Sequence, residues 1–78
     1  MARVRWEYAI LIRGELEHEL SAPRSCWEDA GFPMPGADSF ATSTVRAPFI
    51  ALLNRLGQCA WELTRVDGSH FYLRRPEA

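Results

Sequence analysis

The fold is decided by the stretch PFIALLNRLG at residues 48–57. Its apolar residues recur at the spacing of one helix face, and Asn54 and Arg55 lie outside that stripe. Proline is favoured in the first turn of a helix, where its missing amide hydrogen would have no partner. Glycine readily adopts the left-handed angle that closes a last turn. The pattern predicts one principal helix from Pro48 to Leu56, ended by Gly57.

The chain after this helix has the pattern of a β-hairpin. Residues 59–66 and 70–75 are two runs rich in β-branched and aromatic side chains. Asp67-Gly68 separates them, and this pair tolerates the positive angles of a tight hairpin turn. Pro76 then ends the last strand, since proline cannot donate to a strand ladder.

The chain before the helix begins with VRWEYAILI at residues 4–12, which alternates with the period of a strand. We expect its aromatic side, which starts at Trp6 and Tyr8, to face the core. Residues 15–21 alternate again and fit either a second strand or one helical turn, with the strand favoured. The core is then predicted to consist of Trp6, Tyr8, Ile10, Phe49, Leu53, Leu56, Trp61, Leu63, Phe71 and Leu73.

Residues 22–44 are rich in proline and glycine and are expected to form a long irregular loop. One short helical turn is predicted inside it, because Ser25 and Glu28 have the capping-box spacing and Gly31 is placed to end the turn. The sequence therefore predicts a single α+β domain over residues 1–78. It is a small curled antiparallel sheet of three to four strands, in β-β-α-β-β order. One principal helix covers one face, and a long proline-rich loop completes it.

Composition narrows the function without naming it. The 78 residues are 47% apolar, which fits one self-folding domain. The net charge is −1, so the protein has no overall positive potential that would attract nucleic acid. The chain has neither a signal-peptide pattern nor the roughly 20 apolar residues of a membrane span. Cys26 and Cys59 have no partners at metal-ligand spacing, so no metal or cofactor is expected and a cytoplasmic location is predicted.

Three segments of this chain occur in the order RWEYAILI, LLNRLGQCAWEL and HFYLRRP. In this they resemble a small, mostly bacterial and phage family, the domain-of-unknown-function family numbered 4177, with its WEY, LNxLGxxGWEL and RP pattern. Ala60 departs from that pattern, which has glycine before the tryptophan. The resemblance implies a β–helix–β–β order and carries no activity. The matching positions are Trp6, Glu7, Tyr8, Leu53, Asn54, Leu56, Gly57, Trp61, Glu62, Leu63, Phe71, Arg75 and Pro76.

Four large apolar residues in the proline-rich loop, Trp27, Phe32, Met34 and Phe40, are the strongest functional signal in the sequence. Full burial of each side chain stabilises the protein by about 1.5–3 kcal/mol, so these residues are expected to be buried. Either they fold over the second face of the domain's own sheet, which a single helix leaves bare, or they contact another chain. The functional interpretation makes them the partner-binding residues of a small interaction module.

A second predicted contact surface is the sheet face opposite the principal helix. By strand alternation it would carry Ala9, Leu11, Val66 and Tyr72, a set too apolar to remain wet. Two copies packed through this face would form a two-fold homodimer. Self or another protein is therefore the expected partner.

Two other classes of function stay open from the sequence. A small enzyme would need a pocket under the 22–44 loop that gathers His18, Cys26 or the glutamates, and His70 and Cys59 are weaker candidates for chemistry. A nucleic-acid-binding sheet would use Arg3, Arg5, Tyr72 and Arg74. The sequence favours a non-enzymatic interaction or accessory module over both.

Overall fold

The structure is a computed structural model that describes residues 3–77. These residues form one antiparallel sheet of five strands with the order β3-β2-β1-β5-β4, and two helices. The elements in chain order are β1 (Trp6–Ile12), β2 (Glu17–Pro23), α1 (Arg24–Ala30), β3 (Phe40–Arg46), α2 (Phe49–Gln58), β4 (Glu62–Asp67) and β5 (His70–Pro76).

The prediction of three to four strands with one principal helix is wrong, because within the 22–44 stretch only residues 31–39 are irregular. It holds α1, which follows β2 directly, and β3, which pairs with β2 over its full length. The strand signal of β3 is weak, since small and hydroxyl residues in its FATSTVR sequence give little apolar alternation. The choice of strand for residues 15–21 is confirmed by β2.

Both helices end close to the predicted residues, with one error each. Gly31 ends α1 in the left-handed region with a φ of 78°, as predicted, but the side chain of Ser25 does not cap this helix. Helix α2 continues through Gly57 to Gln58, so the predicted stop at Gly57 is wrong. The positive angle instead falls on Ala60, with a φ of 71°, the position where the resemblance has a glycine.

The β4–β5 hairpin is confirmed, and its turn lies one residue later than predicted. Asp67 pairs with His70, which leaves Gly68 and Ser69 as the turn, with Gly68 at a φ of 61°. Glycine first at a positive angle is the usual sequence of a tight hairpin turn. A bulge between Leu63 and Arg65 interrupts the regular pairing of β4.

The core lies between one side of the sheet and the two helices. Helix α1 contributes Cys26, Trp27 and Ala30, and α2 contributes Phe49, Leu52 and Leu56. The sheet side of the core consists of Ala9, Leu11, Leu20, Ala22, Val45 and Leu73, and Trp61 completes the cluster.

The prediction that Trp6, Tyr8 and Ile10 face the core is therefore wrong, because the odd-numbered residues of β1 face the core instead. Ala9 and Leu11 are 2% and 0% exposed, whereas Tyr8 is 62% exposed. Successive strand residues point to opposite faces, so one choice of parity reassigns the whole strand. Leu63 is also outside the core, at 46% exposed.

Candidate functional site

The side of the sheet opposite both helices carries a continuous row of aromatic and aliphatic residues. Strand register places on it the β1 residues of even number and their neighbours across the sheet. We name this surface the helix-free face. It consists of Phe40, Thr42, Thr44 and Arg46 of β3, Glu17, Glu19, Ser21 and Pro23 of β2, Trp6, Tyr8, Ile10 and Ile12 of β1, His70, Tyr72, Arg74 and Pro76 of β5, and Glu62, Arg65 and Asp67 of β4.

The centre of the helix-free face is apolar and open to solvent. Ile10 pairs with Tyr72 across β1 and β5, and both are only half-buried. Tyr8 is 62% exposed and Phe40 is 51% exposed. Among the residues that the structure describes, no member of this face is fully buried. A contiguous apolar surface of this kind on a small domain is typical of a protein–protein contact site.

Each arginine on the helix-free face lies near a carboxylate of the same face. Arg74 lies 3.5 Å from Glu62, and its guanidinium lies 4.1 Å from the centre of the Trp6 ring. Arg65 and Asp67 are 3.9 Å apart, as are Arg46 and Glu17. Exposed pairs at these distances add little stability, but each carboxylate offsets the positive potential of its arginine. The face is therefore apolar at its centre and close to neutral at its rim.

A buried polar cluster on the helix side of the sheet is the second notable site. Arg75 donates from Nε to Glu7 Oε2 at 2.8 Å and from Nη1 to the Cys59 carbonyl at 2.8 Å. Its Nη2 lies 2.8 Å from Asp29 Oδ2, and Ser25 donates its hydroxyl to Glu7 Oε1 at 2.9 Å. One guanidinium thus joins β1, β5, α1 and the end of α2.

The chemistry of this cluster is that of a structural clamp. Burial, the largest influence, lowers the pKa of Arg75, but its hydrogen bonds and charge interactions with Glu7 and Asp29 outweigh it and leave the pKa raised. The guanidinium therefore stays charged, and each of its three nitrogens has a protein acceptor. A cavity of about 350 Å³ opens beside the cluster, lined by Glu7, Ser25, Asp29, Cys59, Ala60, Arg75 and Pro76.

Cys26 lies next to this cluster and is unsuited to act as a nucleophile. Its side chain is 0% exposed, and burial raises the pKa of its thiol to about 12, with the charge of Arg75 opposing that rise. Thiolate is the nucleophilic form of cysteine, and this environment suppresses it.

The raised pKa of Cys26 predicts that the protein loses stability in alkali. The folded pKa of about 12 exceeds the usual 9.0, so the stabilisation is complete below pH 9 and is lost as the pH rises toward 12. The expected slope is at most about 1.4 kcal/mol per pH unit. Urea denaturation from about pH 8 to about pH 11 measures it. In Cys26→Ala the slope should be shallower, and an unchanged slope would assign the alkaline loss to other groups.

The predicted partner-binding residues do not form one surface. Trp27 is 1% exposed in the core and donates from Nε1 to the Ala22 carbonyl at 3.1 Å, so it is not available to a partner. Phe32 and Met34 are partly buried against the same core. Only Phe40 lies on the helix-free face. The first three cover the helix side of their own sheet, and not the face without a helix that the sequence-based alternative assigned to them.

The predicted dimer face is likewise divided. Ala9 and Leu11 lie under the helices, which excludes them from an exposed face. Val66 is 50% exposed, but its pairing with Phe71 places it on the helix side of β4. Only Tyr72 lies on the helix-free face, where Trp6, Tyr8, Ile10 and Ile12 take the place of the predicted residues.

The residues proposed for catalysis are not gathered in one place, since Cys26 and Cys59 lie beside the Arg75 cluster and the two histidines lie elsewhere. His18 is buried, accepts the Gly14 amide at Nδ1 and donates from Nε2 to the Ala47 carbonyl at 2.9 Å, so it ties β2 to the segment before α2. Glu15 lines a separate open cavity of about 480 Å³ with Leu16, Arg46, Ala47 and Pro48. Within residues 3–77, no group of three potential metal ligands is present. His18 is a structural histidine.

The residues that sequence reasoning missed had a detectable signal. Glu7 is a charged residue in the middle of an apolar strand, and it shares the parity of Ala9 and Leu11. Arg75 has the same relation to Leu73, and β1 pairs with β5 so that Glu7 lies opposite Arg75. Two opposite charges of matching parity on neighbouring strands indicate a buried pair, and so identify the core side of both strands.

Comparison of the chain with protein-family models, with curated proteins and with solved structures found no match. The resemblance to the family of small domains therefore stays a prediction. No helix in the described part of the chain has the length and apolar character needed to cross a membrane.

Proposed function

We propose that this protein is a non-enzymatic interaction module that binds a protein partner, or a second copy of itself, through the helix-free face. The observation that carries the proposal is the position of Tyr8, which is 62% exposed at the centre of the apolar row formed with Ile10 and Tyr72. Aromatic residues at the centre of an apolar surface with a polar rim are those that dominate binding energy at interfaces. Two free thiols, Cys26 and Cys59, favour a reducing compartment, so the proposed location is cytoplasmic.

A protein partner is favoured over nucleic acid by the state of the arginines. A nucleic-acid-binding sheet needs guanidinium groups that are free to neutralise phosphates. On the helix-free face, Arg74, Arg65 and Arg46 each lie within 4.0 Å of a carboxylate, and Arg74 is also stacked on Trp6. The same neutrality suits a protein surface, where charged residues are depleted from the contact core.

The test replaces an exposed aromatic residue on the face and compares it with a replacement elsewhere. Tyr8→Ser removes the anchor, and Ile50→Ser is the matched control, since Ile50 is 64% exposed on α2 at the other side of the molecule. Both changes are at exposed sites and should shift stability by only a few tenths of a kcal/mol to about 1 kcal/mol. A tagged chain is expressed in its native cell, and the bound chains are identified and then reconstituted from purified components.

The proposal expects Tyr8→Ser to weaken the reconstituted complex at least tenfold in dissociation constant, with Ile50→Ser unchanged. Sedimentation of the purified protein shows whether the bound chain is a second copy. Equal affinity for the two variants would contradict the helix-free face as the binding surface. Circular dichroism on both variants confirms that the fold is retained before affinities are compared.

A further inference from the structure

The sheet has two edge strands, β3 and β4, and the two differ in how they are protected against pairing with another strand. An edge strand exposes unpaired amide and carbonyl groups, and proteins guard such edges with charges, bulges or proline. Strand β4 carries both a bulge between Leu63 and Arg65 and three charged residues in its six. Strand β4 is therefore protected against pairing with another strand.

Strand β3 has none of these guards over most of its length. All seven residues, Phe40–Arg46, pair with β2 in unbroken register, and the sequence FATSTVR has one charge, at its last position. Thr42 and Thr44 are exposed on the helix-free face. The hydroxyl oxygen of Thr42 lies 2.8 Å from the hydroxyl oxygen of Ser21. A regular, β-branched and nearly uncharged edge is suited to accept another strand.

We infer that β3 pairs antiparallel with β3 of a second copy, which joins the two sheets into one of ten strands. An antiparallel pair related by a two-fold axis at Ser43 is the register that uses all seven residues of both strands. Each residue then lies opposite a defined residue of the second copy: Thr42 opposite Thr44, Ala41 opposite Val45, and Phe40 opposite Arg46.

The occupant is a second copy because this register is self-complementary. Threonine lies opposite threonine, a favourable cross-strand pair, on the helix-free face. Ala41 lies opposite Val45 on the helix side, so apolar groups meet there. Arg46 lies opposite an aromatic ring, Phe40, which is 51% exposed and free to receive a cation–π contact. No like charges meet.

The corresponding arrangement of β4 fails the same comparison. Pairing all six residues, Glu62–Asp67, with a second copy sets Glu62 opposite Asp67 at both ends. Like charges directly opposite each other are destabilising, and the symmetry repeats the penalty. The β3 pairing also closes on itself, whereas a β3-to-β4 contact would continue into an open chain of copies. The structure thus favours β3 as the pairing edge and a second copy of the chain as its partner.

This pairing is independent of the proposed partner-binding role, since it uses the backbone edge of β3 and leaves the apolar centre of the helix-free face open. If both hold, the dimer presents two such surfaces side by side, with the Phe40 residues of the two copies at opposite ends of the shared β3 ladder. A partner with two matching sites would then bind more tightly through both than through one.

The test changes the charge at two positions that the register brings together. In T42K/T44K every introduced lysine lies opposite a lysine of the second copy. In T42E/T44K every introduced glutamate lies opposite an introduced lysine, and Glu19 lies beside position 44 in the same chain. Both variants alter the same exposed sites, so the second is the fold-matched control for the first.

Sedimentation equilibrium of the unaltered protein should show a dimer at about 10–100 μM. T42K/T44K should raise its dissociation constant at least tenfold, and T42E/T44K should leave it unchanged or lower. Equal dissociation constants for the two variants would overturn the inference, as would an unaltered protein that stays monomeric up to about 1 mM. A dimer lost in Tyr8→Ser but kept in T42K/T44K would also overturn it and would point to the helix-free face instead.

A second measurement needs no substitution. Hydrogen exchange at low and high protein concentration should show new protection of amides in β3 and none in β4, since a ladder forms along the first edge alone. If protection at high concentration falls on β4, or on neither edge, the inference is wrong whether or not the lysine variant folds.

Discussion

Replacing Trp27 with alanine is expected to cost about 3–5 kcal/mol of unfolding free energy, the largest loss for any single core position. Trp27 is 1% exposed and is the largest fully buried side chain among the described residues, so its removal leaves a cavity beneath α1. The Ala22 carbonyl also loses the donor that the indole Nε1 supplies at 3.1 Å. A domain of 78 residues has on the order of 4–12 kcal/mol in total, so the variant should be largely or partly unfolded.

Urea denaturation followed by circular dichroism measures this loss, with Trp6→Ala as the control. Trp6 undergoes the same chemical change, but it lies half-buried on the helix-free face, where the Arg74 guanidinium lies 4.1 Å from its ring centre. Its loss should be less than half that of Trp27. Equal losses at the two positions would mean that α1 does not pack on the sheet as described.

Trp27 also shows why the sequence points to a different candidate surface from the structure. The residue lies in a stretch rich in proline and glycine, and such a stretch usually lies on the surface. Yet α1 needs only seven residues, with Pro23 before it and Gly31 after it, and those same breakers are its boundaries. Local signals located the turn, but only the pairing of β3 with β2 shows that the stretch is part of the sheet. That pairing is long-range and has no local signature.

The strands themselves were easier to locate than their orientation. The period of two identified β1, but both of its faces are apolar, so the period alone does not say which one is buried. The prediction places the aromatic side of β1 in the core. In the structure the small Ala9 and the branched Leu11 lie under the helices, and Trp6 and Tyr8 lie on the other side. This single parity choice moved the candidate surface from Ala9 and Leu11 to Tyr8 and Ile10.

Glu7 is the charged residue that indicates which face of β1 is buried. Removal of its partner, Arg75, is the second change for which we expect a large loss of stability. Arg75→Met should cost about 3–5 kcal/mol, because it leaves the Glu7 carboxylate, whose side chain is 15% exposed, without its opposite charge. The Cys59 carbonyl loses its 2.8 Å donor, and Trp61 loses the guanidinium that lies 4.8 Å from its ring centre. Asp29 is affected less, since its side chain is 54% exposed to water.

The double variant Glu7→Gln/Arg75→Met separates the clamp from the packing around it. Removing the charge of Glu7 as well takes away the uncompensated carboxylate, so the double variant should be more stable than Arg75→Met alone. Glu7→Gln by itself leaves Arg75 with Asp29 and should cost less than Arg75→Met. Urea denaturation of the four proteins gives the coupling energy, expected at about 1–3 kcal/mol. If the two losses simply add within about 0.5 kcal/mol, the pair is not coupled, and the orientation of β1 must then be attributed to Ala9 and Leu11 alone.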